Sequence, residues 1–90
     1  MKILIVDDSL TMRRIIGNVV MQLGFSKENY DEAEDGLKAW NLLKENNYDV
    51  ILTDWNMPNM NGLELVKKVR MEGTHIKTPI IMITTEGGKN

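Results

Sequence analysis

Three aspartates stand where two short apolar segments of this chain end. Residues 2–6 (KILIV) form an apolar run that stops at Asp7 and Asp8. Residues 49–53 (DVILT) form a second run, which stops at Asp54. If the two runs are parallel neighbours in one sheet, the three carboxylates share an edge and lie within about 5 Å of one another, the spacing between strands. Like charges at that distance repel, so the spacing predicts that protons or a divalent cation sit among them.

An acidic site of this kind has a preferred metal and a preferred reaction. A set of carboxylate oxygens favours Mg²⁺, which binds a few carboxylates with water and leaves room for a phosphate oxygen. Calcium fits less well, because no loop here offers the many ligands that it needs. A carboxylate beside Mg²⁺ can also attack phosphorus and form an acyl phosphate. Thr84 ends the last apolar run (IIMIT), where its hydroxyl would reach a phosphoryl oxygen, although an ordinary β-branched strand residue explains it equally well.

The paired aspartates also have a simpler structural interpretation. An acidic residue before a helix commonly caps it and interacts favourably with the positive end of the helix dipole. Asp8 or Ser9 can cap the helix that follows them. A cap needs only one carboxylate, however, and capping does not account for Asp54. The metal site explains all three residues.

Apolar residues recur at helical spacing in three segments, which predicts helices over 9–23, from Gly36 onward and over 62–72. Gly24 suits the left-handed position after the first helix. Arg13 and Arg14 are predicted to face solvent. The predicted apolar faces are Met12, Ile15, Ile16, Val19, Val20 and Leu23 in the first helix, Leu37, Trp40 and Leu43 in the second, and Leu63, Val66 and Val69 in the third.

The remaining apolar segments predict four strands, which alternate with the helices. They lie at 2–6, 29–34, 49–53 and in the segment after Pro79. The segment 29–34 is the least apolar, so we place it at an edge. The order β-α-β-α-β-α-β predicts an α/β fold with a doubly wound parallel sheet and strand order 2-1-3-4. The three aspartates then lie at the topological switch point, where ligands of such sheets bind.

Composition and charge narrow the classes of function. The net charge is −2, from 11 basic and 13 acidic residues, which gives no reason to expect a nucleic acid or a membrane surface as partner. The chain has no cysteine, which excludes disulfides, thiolate chemistry and cysteine zinc sites. The first apolar run is too short for a signal peptide or a membrane span. We therefore expect a single cytoplasmic domain over residues 1–90.

Four segments together carry a family resemblance: ILIVDDSLTMRRI, EAEDG, TDWNMPNMNGLEL and PIIMITTE. With them the chain resembles the receiver domain of two-component response regulators, and in particular the single-domain regulators of chemotaxis. The resemblance covers essentially the whole chain. It implies a flavodoxin-like fold and a cytoplasmic phosphoprotein that is not an enzyme in its own right. It also implies Mg²⁺ as cofactor and a chemotaxis-type histidine kinase as phosphodonor.

The resemblance assigns a role to five residues. Asp54 resembles the phosphoacceptor. Asp8 resembles a direct Mg²⁺ ligand, and Asp7 resembles its water-bridged companion. Asn56 would offer its backbone carbonyl to the metal. Thr84 resembles the hydroxyl that contacts the phosphoryl group and switches with it.

The resemblance also implies a longer domain. The family continues with a fourth helix, a fifth strand that ends in a lysine contacting the phosphoryl group, and a fifth helix, whereas this chain ends at Asn90. Lys89 is not assigned the role of that lysine. The family docks the flagellar switch protein on the absent face, so that partner is not expected for this chain alone. The last strand would be an exposed apolar edge, and we expect a homodimer joined there or across the first helix.

Two other functions remain open beside a receiver. One is a Mg²⁺-dependent aspartyl phosphatase of the haloacid dehalogenase kind, which also uses an aspartate at a strand end. That family has a second acid two residues further on, where this chain has Asn56. The other is a receiver fragment that does not signal and serves to self-associate.

Overall fold

The computed structural model describes residues 1–55, 61–72 and 77–83. Within these ranges lie four strands and three α-helices in the predicted order, and each bound that was predicted within them differs from the observed one by at most one residue. No helix in these ranges is long and apolar enough to cross a bilayer. A single 3-10 turn at Lys27–Asn29 was not predicted. The elements are β1 (Ile3–Val6), α1 (Leu10–Gln22), β2 (Tyr30–Ala33), α2 (Gly36–Glu45), β3 (Val50–Asp54), α3 (Gly62–Glu72) and β4 (Ile80–Ile83).

The strands form one parallel sheet in the order β2-β1-β3-β4, which confirms the predicted topology. The pairing of β1 with β3 begins at Ile3 beside Val50 and ends at Val6 beside Thr53. Asp7 and Asp54 are the residues that follow this pair along the two strands. The register therefore brings the carboxyl ends of the two strands to the same level, as the acidic site requires.

Alternate residues of each strand point to opposite faces of the sheet, so each face has its own apolar cluster. Helices cover one of the two faces more fully than the other. On one face, α2 and α3 bury the larger cluster, which consists of Leu4, Val6, Ala33, Ala39, Leu43, Tyr48, Ile51, Leu65 and Val69. On the other face, α1 buries Ile3 and Ile5 beneath Ile16 and Val20. There the β3 and β4 side chains of Val50, Leu52 and Ile83 are only partly buried.

The predicted apolar face of α1 is wider than the face that the fold buries. Ile16 and Val20 are buried as predicted, whereas Ile15, Val19 and Leu23 are exposed. The buried pair is spaced by four residues, which places both side chains on the same side of the helix, where they pack with Ile3 and Ile5 of β1. Spacing alone predicts a stripe of apolar residues, but the neighbouring strands decide how much of it is covered.

The apolar faces of α2 and α3 are predicted correctly in part. The predicted residues that are buried or partly buried are Trp40, Leu43, Val66 and Val69. Leu37 and Leu63 are exposed, which contradicts the prediction, and the buried Leu65 was not predicted. Leu65 and Val69 lie one turn apart and face the sheet together, and Leu63 lies on a different side of the helix because each residue turns it by about 100°.

The helix ends settle which residue caps α1. The Ser9 hydroxyl accepts a hydrogen bond from the backbone N–H of Met12 at 3.2 Å, so Ser9 is the cap. Gly24 follows the helix with φ of 106°, the left-handed position predicted for it. Asp35 caps α2 in the same way as Ser9 caps α1. Neither aspartate before α1 is therefore used as its side-chain cap.

α3 begins directly against the end of β3. The N–H of Gly62 donates to the carbonyl oxygen of Trp55 at 2.9 Å. A Cβ atom on Gly62 would overlap the backbone carbonyl oxygen of Asp54 and would lie 3.2 Å from the Met82 thioether. Only glycine permits this approach, which holds the first turn of α3 beside the acidic edge of the sheet.

Replacing Gly62 with alanine should lower the free energy of unfolding by about 2 kcal/mol, because the added methyl group meets backbone that cannot move aside. At an unhindered site the same substitution raises the free energy of unfolding, so a decrease would indicate the steric conflict. Urea denaturation followed by circular dichroism measures the change. The adjacent, exposed Leu63→Ala is the control and should change stability by no more than about 0.5 kcal/mol beyond helix propensity. A Gly62→Ala protein as stable as the wild type would contradict the close approach.

Candidate metal centre

The structure brings the three predicted carboxylates together. Asp7 and Asp8 lie in the connection between β1 and α1, and Asp54 is the last residue of β3. One carboxylate oxygen from each residue lies within 4.8 Å of the other two. The predicted acidic patch is therefore present, and it is a group of residues that can hold a metal ion.

Asp7 is the most constrained of the three. Its side chain is buried, with the residue only 1 % exposed. Its N–H donates to the carbonyl of Ala33 at 3.1 Å, and its Oδ1 accepts from the N–H of Ser9 at 2.9 Å. No donor from the described part of the chain reaches its Oδ2. A buried oxygen without a hydrogen-bond donor costs free energy of folding, and interaction with a bound cation would compensate for the missing donor.

The electrostatics of Asp7 lead to the same conclusion. Burial of its carboxyl raises its pKa above the ordinary value of 3.8. The hydrogen bond from the N–H of Ser9 opposes this shift, and the negative charges of Asp54 and Asp8 add to it. The pocket thus disfavours the charged form of Asp7 unless a positive charge is supplied.

Asp54 and Asp8 differ in how they are held. Asp54 is buried, and its Oδ1 accepts the N–H of Trp55 at 2.8 Å. The Thr53 hydroxyl donates to the backbone carbonyl of Asp54 at 3.1 Å. Asp8 is exposed, so the site is open to solvent on the side that Asp8 occupies. One buried carboxylate of the site is thus joined by an accessible one, so a small cation can enter from solvent.

The spacing of the oxygens fits a small divalent cation. An ion the size of Mg²⁺ keeps its oxygen ligands at about 2.1 Å, which places them about 3–4 Å from one another. The span of 4.8 Å is slightly wider and leaves room for one carboxylate to act through water. The donor set consists of carboxylates alone, the type that hard cations prefer.

Two of the predicted site residues lie outside the described residues. These are Asn56, in the segment after β3, and Thr84, which follows β4. Their predicted roles at the metal and at the phosphoryl group remain predictions.

The prediction that Arg13 faces solvent is wrong. Its side chain is only 13 % exposed, and its Nη1 donates to the backbone carbonyl of Asp7 at 2.6 Å. Its Nε lies 3.0 Å from a carboxylate oxygen of Glu32 on β2. A signal was present in the sequence, since Arg13 stands four residues after the cap Ser9 and so faces the same side of the helix. What it contacts there depends on the sheet.

Comparison with known proteins agrees with this geometry. Residues 3–90 match the model of the response regulator receiver domain. A chemotaxis protein CheY homolog of Campylobacter jejuni is 60 % identical over 90 residues, covering 99 % of this chain and 68 % of the relative. Chemotaxis protein CheY1 of Helicobacter pylori is 59 % identical, covering 99 % of this chain and 71 % of the relative.

Solved structures share the fold. CheY4 of Vibrio cholerae superposes with a TM-score of 0.84 at 39 % identity, covering 97 % of this chain and 70 % of that one. The response regulator TrrA from Thermotoga maritima, solved in complex with Mg²⁺-BeF, has a TM-score of 0.79 at 32 % identity. That match covers 93 % of this chain and 70 % of TrrA. The strand order and the three-helix arrangement described above are thus those of CheY-type receivers.

Replacing Asp7 with asparagine should stabilise the metal-free protein at neutral pH, because it removes a buried charge beside two others. Folding raises the pKa of Asp7, so the folded state binds its proton more tightly than the unfolded state does. The gain from Asp7→Asn is therefore absent below the ordinary pKa of 3.8 and grows as the pH rises through the raised folded-state value. Urea midpoints measured in EDTA across this range test it.

The exposed acid Glu28 provides the control, and Glu28→Gln should leave the midpoint unchanged over the same range. A lower midpoint for Asp7→Asn than for the wild type at neutral pH, without metal, would contradict the assigned charge repulsion.

Proposed function

This chain belongs to the response regulator receiver domain family, and on that premise we propose that Asp54 accepts a phosphoryl group from a histidine kinase. The observation that carries the proposal is the convergence of Asp7, Asp8 and Asp54 at one edge of the sheet, with a buried Asp7 oxygen that lacks a donor from the described residues. A receiver needs a fixed carboxylate nucleophile beside a cation site, and the convergence of the three carboxylates supports both requirements.

The reaction assigned to the chain is attack by a carboxylate oxygen of Asp54 on phosphorus. The bond from phosphorus to the donor histidine nitrogen breaks, its electron pair stays with the imidazole, and an acyl phosphate forms on Asp54. The backbone N–H of Trp55 donates to Oδ1 of Asp54 at 2.8 Å and fixes the orientation of the carboxylate before attack. Catalysis of this kind depends mainly on positioning and on charge compensation.

Mg²⁺ is the cation that we propose for the site. Asp8 and Asp54 would hold it directly, Asp7 would hold it through water, and Asn56 would add its backbone carbonyl. When bound, Mg²⁺ neutralises the oxygens of the incoming phosphoryl group. Thr84 would contact one of those oxygens. The complex of TrrA with Mg²⁺-BeF supports a magnesium site in this fold.

A chemotaxis-type histidine kinase is the partner that we propose, with the reaction taking place in the cytoplasm. The 60 % identity with the Campylobacter chemotaxis protein supports this choice. We do not extend the proposal to the flagellar switch protein, since the chain spans 68 % of the length of that relative. A phosphatase of the haloacid dehalogenase kind is less well supported, because Asn56 stands where that class has its second acid.

Incubation with acetyl phosphate and Mg²⁺ should add one phosphoryl group, about 80 Da, to the intact protein. The adduct should be absent in Asp54→Asn and in EDTA. Asp49→Asn is a matched control, because Asp49 lies at the opposite end of β3 and should leave the adduct unchanged. An adduct that persists in Asp54→Asn would refute the assignment. Repeated turnover of a phosphoester would identify a phosphatase instead.

We also propose that two copies of this chain associate through the β4 edge. In the described ranges β4 is the last strand of the sheet, and its sequence IIMI carries no charge. The opposite edge, β2, carries Asp31 and Glu32, which discourage pairing with another chain. Ile15 and Val19 are exposed on α1, the helix that packs on the face where β3 and β4 are partly covered, and they add to the apolar surface of the protein.

Sedimentation velocity at micromolar concentration should show a dimer, and Ile81→Lys should shift it to monomer. Ile81 is 52 % exposed on the edge strand, and a lysine there obstructs edge pairing. Met71→Lys serves as the control, because Met71 is 81 % exposed on α3 and lies on neither the edge nor α1. A folded wild-type monomer at this concentration would rule out the dimer.

A further inference from the structure

Arg13 joins three elements at the acidic edge of the sheet. It belongs to α1, it donates from Nη1 to the carbonyl of Asp7 at 2.6 Å, and it pairs through Nε with Glu32 of β2 at 3.0 Å. Its side chain is 13 % exposed, in contrast to ordinary surface arginines. The ion pair with Glu32 is exposed, and such a pair contributes little to stability by itself. The short bond to the Asp7 carbonyl is partly buried, and it distinguishes Arg13 from an ordinary surface arginine.

The contact completes the fixation of Asp7. The Asp7 N–H is bound by the carbonyl of Ala33, its Oδ1 by the N–H of Ser9, and its carbonyl oxygen by Arg13. The backbone on both sides of Asp7 and the direction of its carboxyl are thereby set. The guanidinium binds the backbone carbonyl and not the carboxylate, so a cation site at the carboxylates stays open.

We propose that Arg13, anchored by Glu32, is a positioning residue that holds the Asp7–Asp8 segment with its carboxylates turned towards Asp54. This inference rests on the proposed metal site. The planar guanidinium suits the task, because it presents several donors in a fixed fork and reaches two acceptors at once. A lysine carries the same charge as a single point and does not span both acceptors in this way.

The direction in which Mg²⁺ affinity changes when Arg13 is removed distinguishes a positioning role from a purely electrostatic one. Removing a positive charge near a carboxylate cluster strengthens the attraction of that cluster for Mg²⁺. Removing a residue that orients the ligands weakens binding, typically by about 10-fold or more for an outer residue of a metal site. Arg14 is exposed and adjacent in sequence, so Arg14→Ala removes the same charge without disturbing the contact to Asp7.

Mg²⁺ titration in a Trp40→Phe background tests the proposal, with Trp55 as the only remaining tryptophan. Trp55 reports on the site because it follows Asp54 directly and its backbone N–H donates to the Asp54 carboxylate. We expect Arg13→Ala to raise the Mg²⁺ dissociation constant about 10-fold, and Arg14→Ala to leave it unchanged or lower it. Arg13→Lys should remain weakened. Glu32→Ala removes the acceptor of the Arg13 Nε–H while it keeps Arg13, and it should weaken binding in the same direction.

A second readout does not depend on the metal. The amide resonance of Ser9, whose N–H binds Asp7, should shift in metal-free Arg13→Ala and stay in place in Arg14→Ala. Tight Mg²⁺ binding by Arg13→Ala, or full restoration by Arg13→Lys, would overturn the positioning role. If no protein in the series binds Mg²⁺, the proposed metal function fails. The Ser9 resonance then decides separately whether Arg13 positions Asp7. Should Arg13→Ala fail to fold, Glu32→Ala provides both measurements.

Discussion

The parallel pairing of β1 with β3 is the constraint on which the rest of this molecule depends. Its register ends both strands at the same level, so Asp7 and Asp54 meet with Asp8 beside them. Three carboxylates within a few ångströms oppose folding unless charge is compensated. The apolar residues of both strands, buried on either face of the sheet, stabilise the pairing in spite of that repulsion. The apolar core thus holds together three carboxylates whose mutual repulsion would otherwise separate them.

The surroundings of the site limit this cost without removing it. Ser9 caps α1 with its hydroxyl and binds Asp7 with its N–H, so one residue serves both the helix and the site. Trp55 holds one oxygen of Asp54, and Gly62 lets α3 begin against the same strand end. The remaining Asp7 oxygen has no donor in the described part of the chain. The described residues therefore orient the carboxylates, and they leave one oxygen of Asp7 available to a cation.

The two edges of the sheet differ in a way that bears on association. β2 is acidic and is tied to its surroundings, since Asp31 accepts a hydrogen bond from Tyr48 at 2.6 Å and lies 3.4 Å from the Lys2 amine. β4 is apolar and is the outer strand of the described sheet. On the α1 face, the side chains of β3 and β4 are only partly covered. Parallel sheets are normally covered on both faces, so this side is the one at which further burial would gain most.

Much of the fold, and the position of its site, follows from the sequence alone. Apolar runs with strand composition, apolar residues at helical spacing and Gly24 are local signals, and they determine the element order, the topology and the level at which the aspartates meet. Only the tertiary structure decides that Leu65 and not Leu63 is buried, that Ile15 and Val19 stay exposed, and that Arg13 turns inward to Asp7. The reason is physical: a periodicity depends on residues a few positions apart, whereas burial and side-chain partners depend on how helices and strands pack against one another once the chain has folded.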